Sequence, residues 1–260
     1  MSRSRLLLSA LLALGLAPPL AASTAGGGFG LSVLVDGAPR PEYAGRGAVY
    51  VEAIRGRDYA LRITNPLPVR VAVALSVDGL NTIDARHTLA RESRKWVLGP
   101  YESVVISGWQ VSGETARKFF FTGERSSYGA QLGQTENLGV IEAVFFRERE
   151  PYREARQRPN EPAPYDRGAP AAKGQAESRA GAPEASAKLS DDYAATGMGG
   201  RTRHAVTEVA LDLEPAAVAT LRIRYEFRPA LEKLGLLSRP DDPLDRRERG
   251  RGFGSFCPEP

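Results

Sequence analysis

From Val69 to Asp84 the chain reads VRVAVALSVDGLNTID, a strict alternation that runs into an Asp-Gly pair and out into a second apolar run. Val69, Val71, Val73, Leu75 and Val77 share one face at period two, while Arg70, Ala72, Ala74 and Ser76 share the other, as in a strand with one buried side. Asp78-Gly79 accepts the two positive φ values of a type I′ turn, whose twist matches that of the strands it joins. The pattern predicts a two-residue hairpin with Asn81 opposite Ser76.

The same grammar recurs on both sides of this hairpin. LSVLVDG (31–37) reads as a strand closed by a second Asp-Gly, AVYVEAI (48–54) as another, and YALRITN (59–65) as a third. Asn65-Pro66-Leu67-Pro68 then removes backbone donors and ends that strand. ESVVISGW (102–109), RKFFFTG and LGVIEAVFFRE supply three more, the last apolar on both faces, as expected between two layers. Further on, Ala219, Leu221, Ile223, Tyr225 and Phe227 alternate with Thr220, Arg222, Arg224, Glu226 and Arg228. Short strands about ten residues apart, separated by turn residues, predict an all-β fold, an antiparallel β-sandwich of jelly-roll or Ig-like type.

Between residues 150 and 203 the alternation stops: Pro, Gly, Ala and charge dominate and large aliphatic residues are nearly missing. Such a composition cannot bury enough surface to offset ordering, so a disordered insertion in the sandwich is expected there. The sandwich core is assigned to residues 29–149. Residues 204–237 are expected to supply a strand pair, HAVTEVALDLEP and AVATLRIRYEFRP, that completes it, then a short helix entered at Pro229 and closed by Gly235. From residue 238 to 260 a polar tail is expected.

Arg3 and Arg5 precede the apolar run Leu6 to Leu16, which leads into Pro18-Pro19 and the small residues Ala21, Ala22, Ser23, Thr24 and Ala25. This is the layout of a secretory signal peptide over residues 1–25. The run is shorter than the roughly 20 apolar residues of a membrane span, so no stable span is expected after cleavage near Ala22 or Ala25. Export through the signal peptide places the product in the periplasm or outside the cell. The single cysteine, Cys257, excludes an intramolecular disulfide, and stability then rests on an apolar core.

Two of the +4 formal charges, Arg3 and Arg5, fall within the signal peptide, and the remaining arginines are interspersed with acids, as in RERE (147–150) and DRRERGR (245–251). No sustained cationic stripe results, and nucleic acid is not an expected partner.

Taken together, NPLPVRVAVALSVDGLNTIDA, VVISGWQVS, SSYGAQLG and NLGVIEAVFFRE, with the stretch from IRYEFRP to the end of the chain, resemble a family of uncharacterised exported bacterial proteins. The resemblance spans the chain after the signal peptide except the Pro/Ala/Glu-rich insertion, with SVDGLNTIDA and NLGVIEAVFFRE its most distinctive motifs. It implies a β-rich fold and brings no activity with it.

The residues that carry chemistry are few. Asp78, Asn81, Asp84 and His87 surround the hairpin turn, where oxygen ligands at short spacing suit calcium. Turn and cap chemistry accounts for the same residues, and the spacing is not that of the twelve-residue calcium loop. With only two histidines, His87 and His204, a zinc hydrolase is not expected. No G-x-S-x-G elbow is present. No metal or other cofactor is expected.

Trp96, Trp109, Tyr101 and Tyr128 flank turns, and of these Trp109 and Tyr128 are the first candidates for stacking on a sugar or anchoring a protein. Burial in the core is the competing account of the same aromatics. The composite expectation is an exported, non-catalytic binding or structural module of the bacterial cell envelope, with a protein or glycan partner. The alternatives are a hydrolase of envelope polymers using carboxylates such as Asp84 and Glu124, and a scaffold whose insertion orders on binding.

Overall fold

The computed structural model describes residues 23–24, 27–149 and 189–238. Most of the signal peptide, most of the insertion, Cys257 and the tail lie outside the described residues, as do the expectations placed on them. In chain order the strands are β1 (Ser23–Thr24), β2 (Gly30–Val35), β3 (Ala38–Pro39), β4 (Glu42–Gly45), β5 (Ala48–Ala53), β6 (Asp58–Thr64), β7 (Val71–Val77), β8 (Leu80–Asn81), β9 (Trp96–Leu98), β10 (Ser103–Ile106), β11 (Gly108–Gln110) and β12 (Thr115–Gly123). A single turn of 3-10 helix and the short helix α1 (Tyr128–Gln131) follow, then β13 (Val140–Arg147), β14 (Ala194–Arg203), β15 (Ala219–Phe227) and α2 (Arg228–Lys233).

These strands form two sheets, as the alternation predicts. One has the order β1-β2-β6-β12-β11, with β3 on β2, β10 on β6 and β14 on β12; the other has the order β4-β5-β15-β13-β7-β8, with β9 on β7. Successive strands and hairpins pass back and forth between the layers because each strand presents one continuous apolar face. Leu31 and Val33 of β2, Leu61 and Ile63 of β6, Val71, Val73, Leu75 and Val77 of β7, Phe119 and Phe121 of β12, Ile141 and Phe145 of β13, and Ile223 of β15 meet in one core. Fully burying a side chain of this size contributes about 1.5–3 kcal/mol, so the periodic columns supply the bulk of the driving force.

The hairpins follow their turn chemistry. Val77 pairs with Leu80 and Ser76 with Asn81 across a two-residue turn in which Asp78 and Gly79 have φ of 53° and 77°. Asp36-Gly37 does the same between β2 and β3, and Arg46-Gly47 between β4 and β5. The outer face of β7 is also covered: Ala72 and Ala74 are buried, as is their neighbour Phe146, over whose ring the Lys95 ammonium lies at 5.2 Å.

Four features depart from the sequence expectation. Ala194–Arg203, assigned to the end of the flexible insertion, is a ten-residue strand paired along β12; its glycines suit the close approach of Phe120, whose ring would lie 2.3 Å from a Cβ at Gly197. The stretch 204–214 is not the hairpin partner of β15. It crosses between the sheets, held to one by His204 N–H on Glu114 O and to the other by Arg149 N–H on its Asp212 O. Third, β15 pairs antiparallel with β13 but parallel with β5.

Fourth, ESVVISGW is two strands, since the chain turns a corner at Ser107 to leave β6 for β12. That corner demands glycine, because a Cβ at Gly108 would sit 2.1 Å from the Arg117 carbonyl oxygen. Gly108→Ala is expected to destabilise the protein by about 2 kcal/mol, read as a lower midpoint in urea unfolding; an unchanged midpoint counts against the corner.

Candidate functional site

The hairpin that dominates the sequence also builds the most concentrated polar chemistry of the fold. A left-handed turn residue normally projects into solvent, yet Asp78 is 2 % exposed. Its Oδ1 accepts the Gly139 N–H at 2.9 Å and the Tyr225 hydroxyl, and its Oδ2 accepts the Thr196 N–H at 2.7 Å. Thr196 Oγ1 lies 2.6 Å from the Tyr225 hydroxyl and 2.6 Å from that of Tyr59. Because the Tyr225 proton is given to Asp78, the Thr196 hydroxyl donates to Tyr225 and Tyr59 donates to Thr196. A single directed chain thus runs from Tyr59 to the carboxylate.

Burial pushes the Asp78 carboxyl up to about 7, against the opposing pull of Tyr225 and three backbone N–H groups. Burial, reinforced by the Asp78 charge, raises both tyrosine hydroxyls well above their ordinary range. Such values attract attention as catalytic signatures. Here, however, Tyr59, Thr196 and Tyr225 lie in the interior with Asp78, stacked among Phe119 and Phe121. A substrate has no route to them, so the network ties β6, β14 and β15 to the β7 turn and the start of β13, across both sheets.

The other residues singled out around the turn do not converge with Asp78. Asn81 is buried and closes the following loop, donating to Arg94 O at 2.8 Å and accepting the Ile83 N–H at 2.8 Å. Asp84 accepts the Arg86 N–H at 3.1 Å, and His87 Nδ1 donates to Gly79 O at 3.0 Å. Among the described residues no three His, Cys, Asp or Glu side chains are grouped to hold a metal ion. Glu124 accepts the Ser190 N–H at 2.8 Å near the start of β14 and makes no contact with Asp84, so the carboxylates invoked for hydrolysis are not paired.

The two leading aromatic candidates also turn inward, whereas Tyr101 is exposed. Trp109 is 2 % exposed, donates to Gly197 O at 3.2 Å and meets Phe119 edge-on at 5.1 Å. Tyr128, half-buried at the start of α1, packs on Trp109 at 5.1 Å. Neither offers an open ring face beside a loop, which is the platform the sequence had placed there.

Two open concavities among the described residues bear on binding. The larger, of about 780 Å³, lies between edge strand β9 of one sheet and the β10–β11 corner of the other, with residues 204–213 along it. Val105, Val111, Val206 and Val209 are exposed there, around Trp96 and His204, whose rings are 5.4 Å apart. His204 Nδ1 donates to Gln110 Oε1 at 2.8 Å. Burial lowers the pKa of His204, which favours the neutral imidazole. The Lys95 ammonium is lowered by the same cause and is held by the carbonyls of Arg91 and Ser93.

The smaller concavity, of about 420 Å³, lies on the outer face of the β7–β13–β15 sheet and includes Asn81 and His87 in its lining, with Arg86, Arg222 and Arg224. Sequence reading missed these arginines and the groove valines, since neither set is contiguous in the chain. It also missed Thr196 and Tyr225 as partners of Asp78. One signal was available: Tyr225 falls in an inward column, and a tyrosine hydroxyl in a core requires a partner.

Comparison of the chain with family models, with curated proteins and with solved structures finds none that matches it.

Proposed function

We propose that this protein is an exported, non-catalytic binding module of the bacterial cell envelope, and that the groove beside β9 receives an extended, apolar polypeptide segment of a partner. The observation that carries this reading is the exposure of Val105, Val111, Val206 and Val209 around a groove of about 780 Å³. Apolar side chains collected on a concave surface favour a partner over solvent. A polypeptide is preferred to a glycan because, among the described residues, β9 pairs only with β7, leaving an edge open to strand addition. Among the described residues, 207–211 take part in no backbone hydrogen bond, so this side of the groove adjusts at low cost.

Two further points support the non-catalytic reading: the carboxylate–tyrosine network is buried, and Asp84 and Glu124 each accept a backbone N–H apart from one another. Export rests on the sequence of residues 1–25. Among the described residues no helix is long and apolar enough to cross a membrane.

The test is capture from envelope extracts by the immobilised mature protein, beside a variant carrying Val105→Asp and Val209→Asp. Both positions are exposed, so the variant should keep its unfolding midpoint. Loss of a retained protein in the variant is the expected result. Equal retention by both, or no retained protein at all, overturns the groove as a docking site; recovery of the chain in the cytoplasmic fraction overturns its export.

A further inference from the structure

We propose that the cleft on the outer face of the β7–β13–β15 sheet binds an anionic sugar, its carboxylate or phosphate held by the guanidinium groups of Arg86 and Arg224. This goes beyond the groove reading and is independent of it, since the two concavities have different linings apart from Ser93.

The cleft exists because the outward positions at its floor are small: Ala74 and Ser76 on β7, and Val140 and Val144 on β13. One wall is the loop after β8. It is braced by Asn81, by the Asn81 N–H on Arg86 O at 3.0 Å, and by His87 on Gly79 O. The opposite wall is the charged face of β15, where Arg222 stands across from Glu142 and Arg224 across from Val140. The enclosed volume of about 420 Å³ falls within the roughly 300–1,000 Å³ of ordinary ligand sites.

The charge in the cleft is unbalanced. Three arginines line it against one acidic residue, Glu142, whose carboxylate is bound to Arg222 at 2.6 Å. Neither Arg86 nor Arg224 has a carboxylate within 4.0 Å among the described residues, whereas most arginines on the neighbouring strand faces, such as Arg40, Arg70 and Arg147, are paired. Glu226, two residues beyond Arg224 on the same strand, accepts the Ala194 N–H at 3.2 Å instead. Asp84 and Glu92 of the loop do not line the cleft.

Arginines without an ion-pair partner among the described residues, bordering one cavity, match the paired oxygens of a carboxylate or phosphate. The body of the ligand follows from the uncharged lining. Ser76, Thr88 and Asn137 border the cleft, and their side chains have no hydrogen-bond partner among the described residues, so they suit hydroxyl groups. No Phe, Tyr or Trp ring lines the cavity, and the one imidazole there, His87, is tied to Gly79 O, which argues for a hydroxyl-rich body over a planar base.

The experiment is calorimetric or NMR titration of the mature protein at low salt with glucose 6-phosphate, glucuronate, glucose and inorganic phosphate. Saturable binding of an anionic sugar is expected, about tenfold or more tighter than glucose or phosphate alone. Arg86→Ala with Arg224→Ala should weaken it about tenfold or more at an unchanged unfolding midpoint. Arg201→Ala on β14, and the Val105→Asp and Val209→Asp variant, should leave it unchanged. Preference for the phosphate or for the carboxylate sugar identifies the anion, and either supports the site. Absence of saturation with every probe, or equal weakening by Arg201→Ala, overturns it.

Discussion

Asp78→Ala is expected to destabilise the protein by about 4 kcal/mol, enough to remove much of the stability of an ordinary domain. The substitution strands three buried donors, the N–H groups of Gly139 and Thr196 and the hydroxyl of Tyr225, at about 1–3 kcal/mol each before relaxation. It also places alanine at φ of 53°, a left-handed conformation that aspartate tolerates better than alanine, by up to about 1 kcal/mol. Asp78→Asn separates the two contributions. Asparagine is at home in the turn and keeps one acceptor, but its amide confronts one of the donors, so a loss of about 2 kcal/mol is expected. Urea unfolding of both variants provides the measurement. An alanine variant within about 1 kcal/mol of the parent would show that the network does not hold the sheets together.

Stability should fall as the pH rises from about 4 to about 7, and the Asp78→Asn variant should lose that dependence. Burial raises the Asp78 carboxyl to about 7 in the folded protein, whereas an aspartate in the unfolded chain titrates near ~3.9. Between those values the folded state keeps a proton that the unfolded state has released, so stability declines by about 1.4 kcal/mol per pH unit. The contribution is fully present below pH ~4, and about 4 kcal/mol of it is gone once the pH passes about 7. Protonation also reverses the direction of the hydroxyl chain. The carboxyl proton goes to Tyr225, Tyr225 donates to Thr196, and Thr196 donates to Tyr59, while the N–H groups of Gly139 and Thr196 stay on the carboxyl oxygens. The comparison to make is the difference in unfolding free energy between parent and Asp78→Asn at pH 4.5 and 7.5. A difference that does not change with pH removes the titration from Asp78.

Much of the architecture was legible in local pattern. The hairpin at Asp78-Gly79, its Ser76–Asn81 register, the inward columns of β7, β12, β13 and β15, and α2 between Pro229 and Gly235 are found where alternation and turn chemistry put them. The site was less legible. Trp109 was read as a loop aromatic because Ser107-Gly108 looks like a strand end. The corner at Ser107 instead swings the indole under β14, where its N–H meets Gly197 O. Ala194–Arg203 was missed as a strand because Gly and small residues weaken the strand signal. There they serve the tight approach to β12 and Phe120 that only the folded sheet reveals.

Alternation is a property of neighbouring residues, and burial follows from it directly: the order of apolar and polar side chains by itself determined that this is a two-layer β protein with a tight Asp-Gly hairpin. What stands next to what across the layers is set by packing between segments far apart in the chain. Asp78 finds Tyr225 at a separation of 147 residues and Thr196 at 118. Only the tertiary structure therefore decided that a turn aspartate is a buried tie, that four scattered valines line a groove, and that Arg86 and Arg224 face one cleft. A polar group in the interior must be met by whichever partner the fold delivers, and period-two patterning holds no information about that partner.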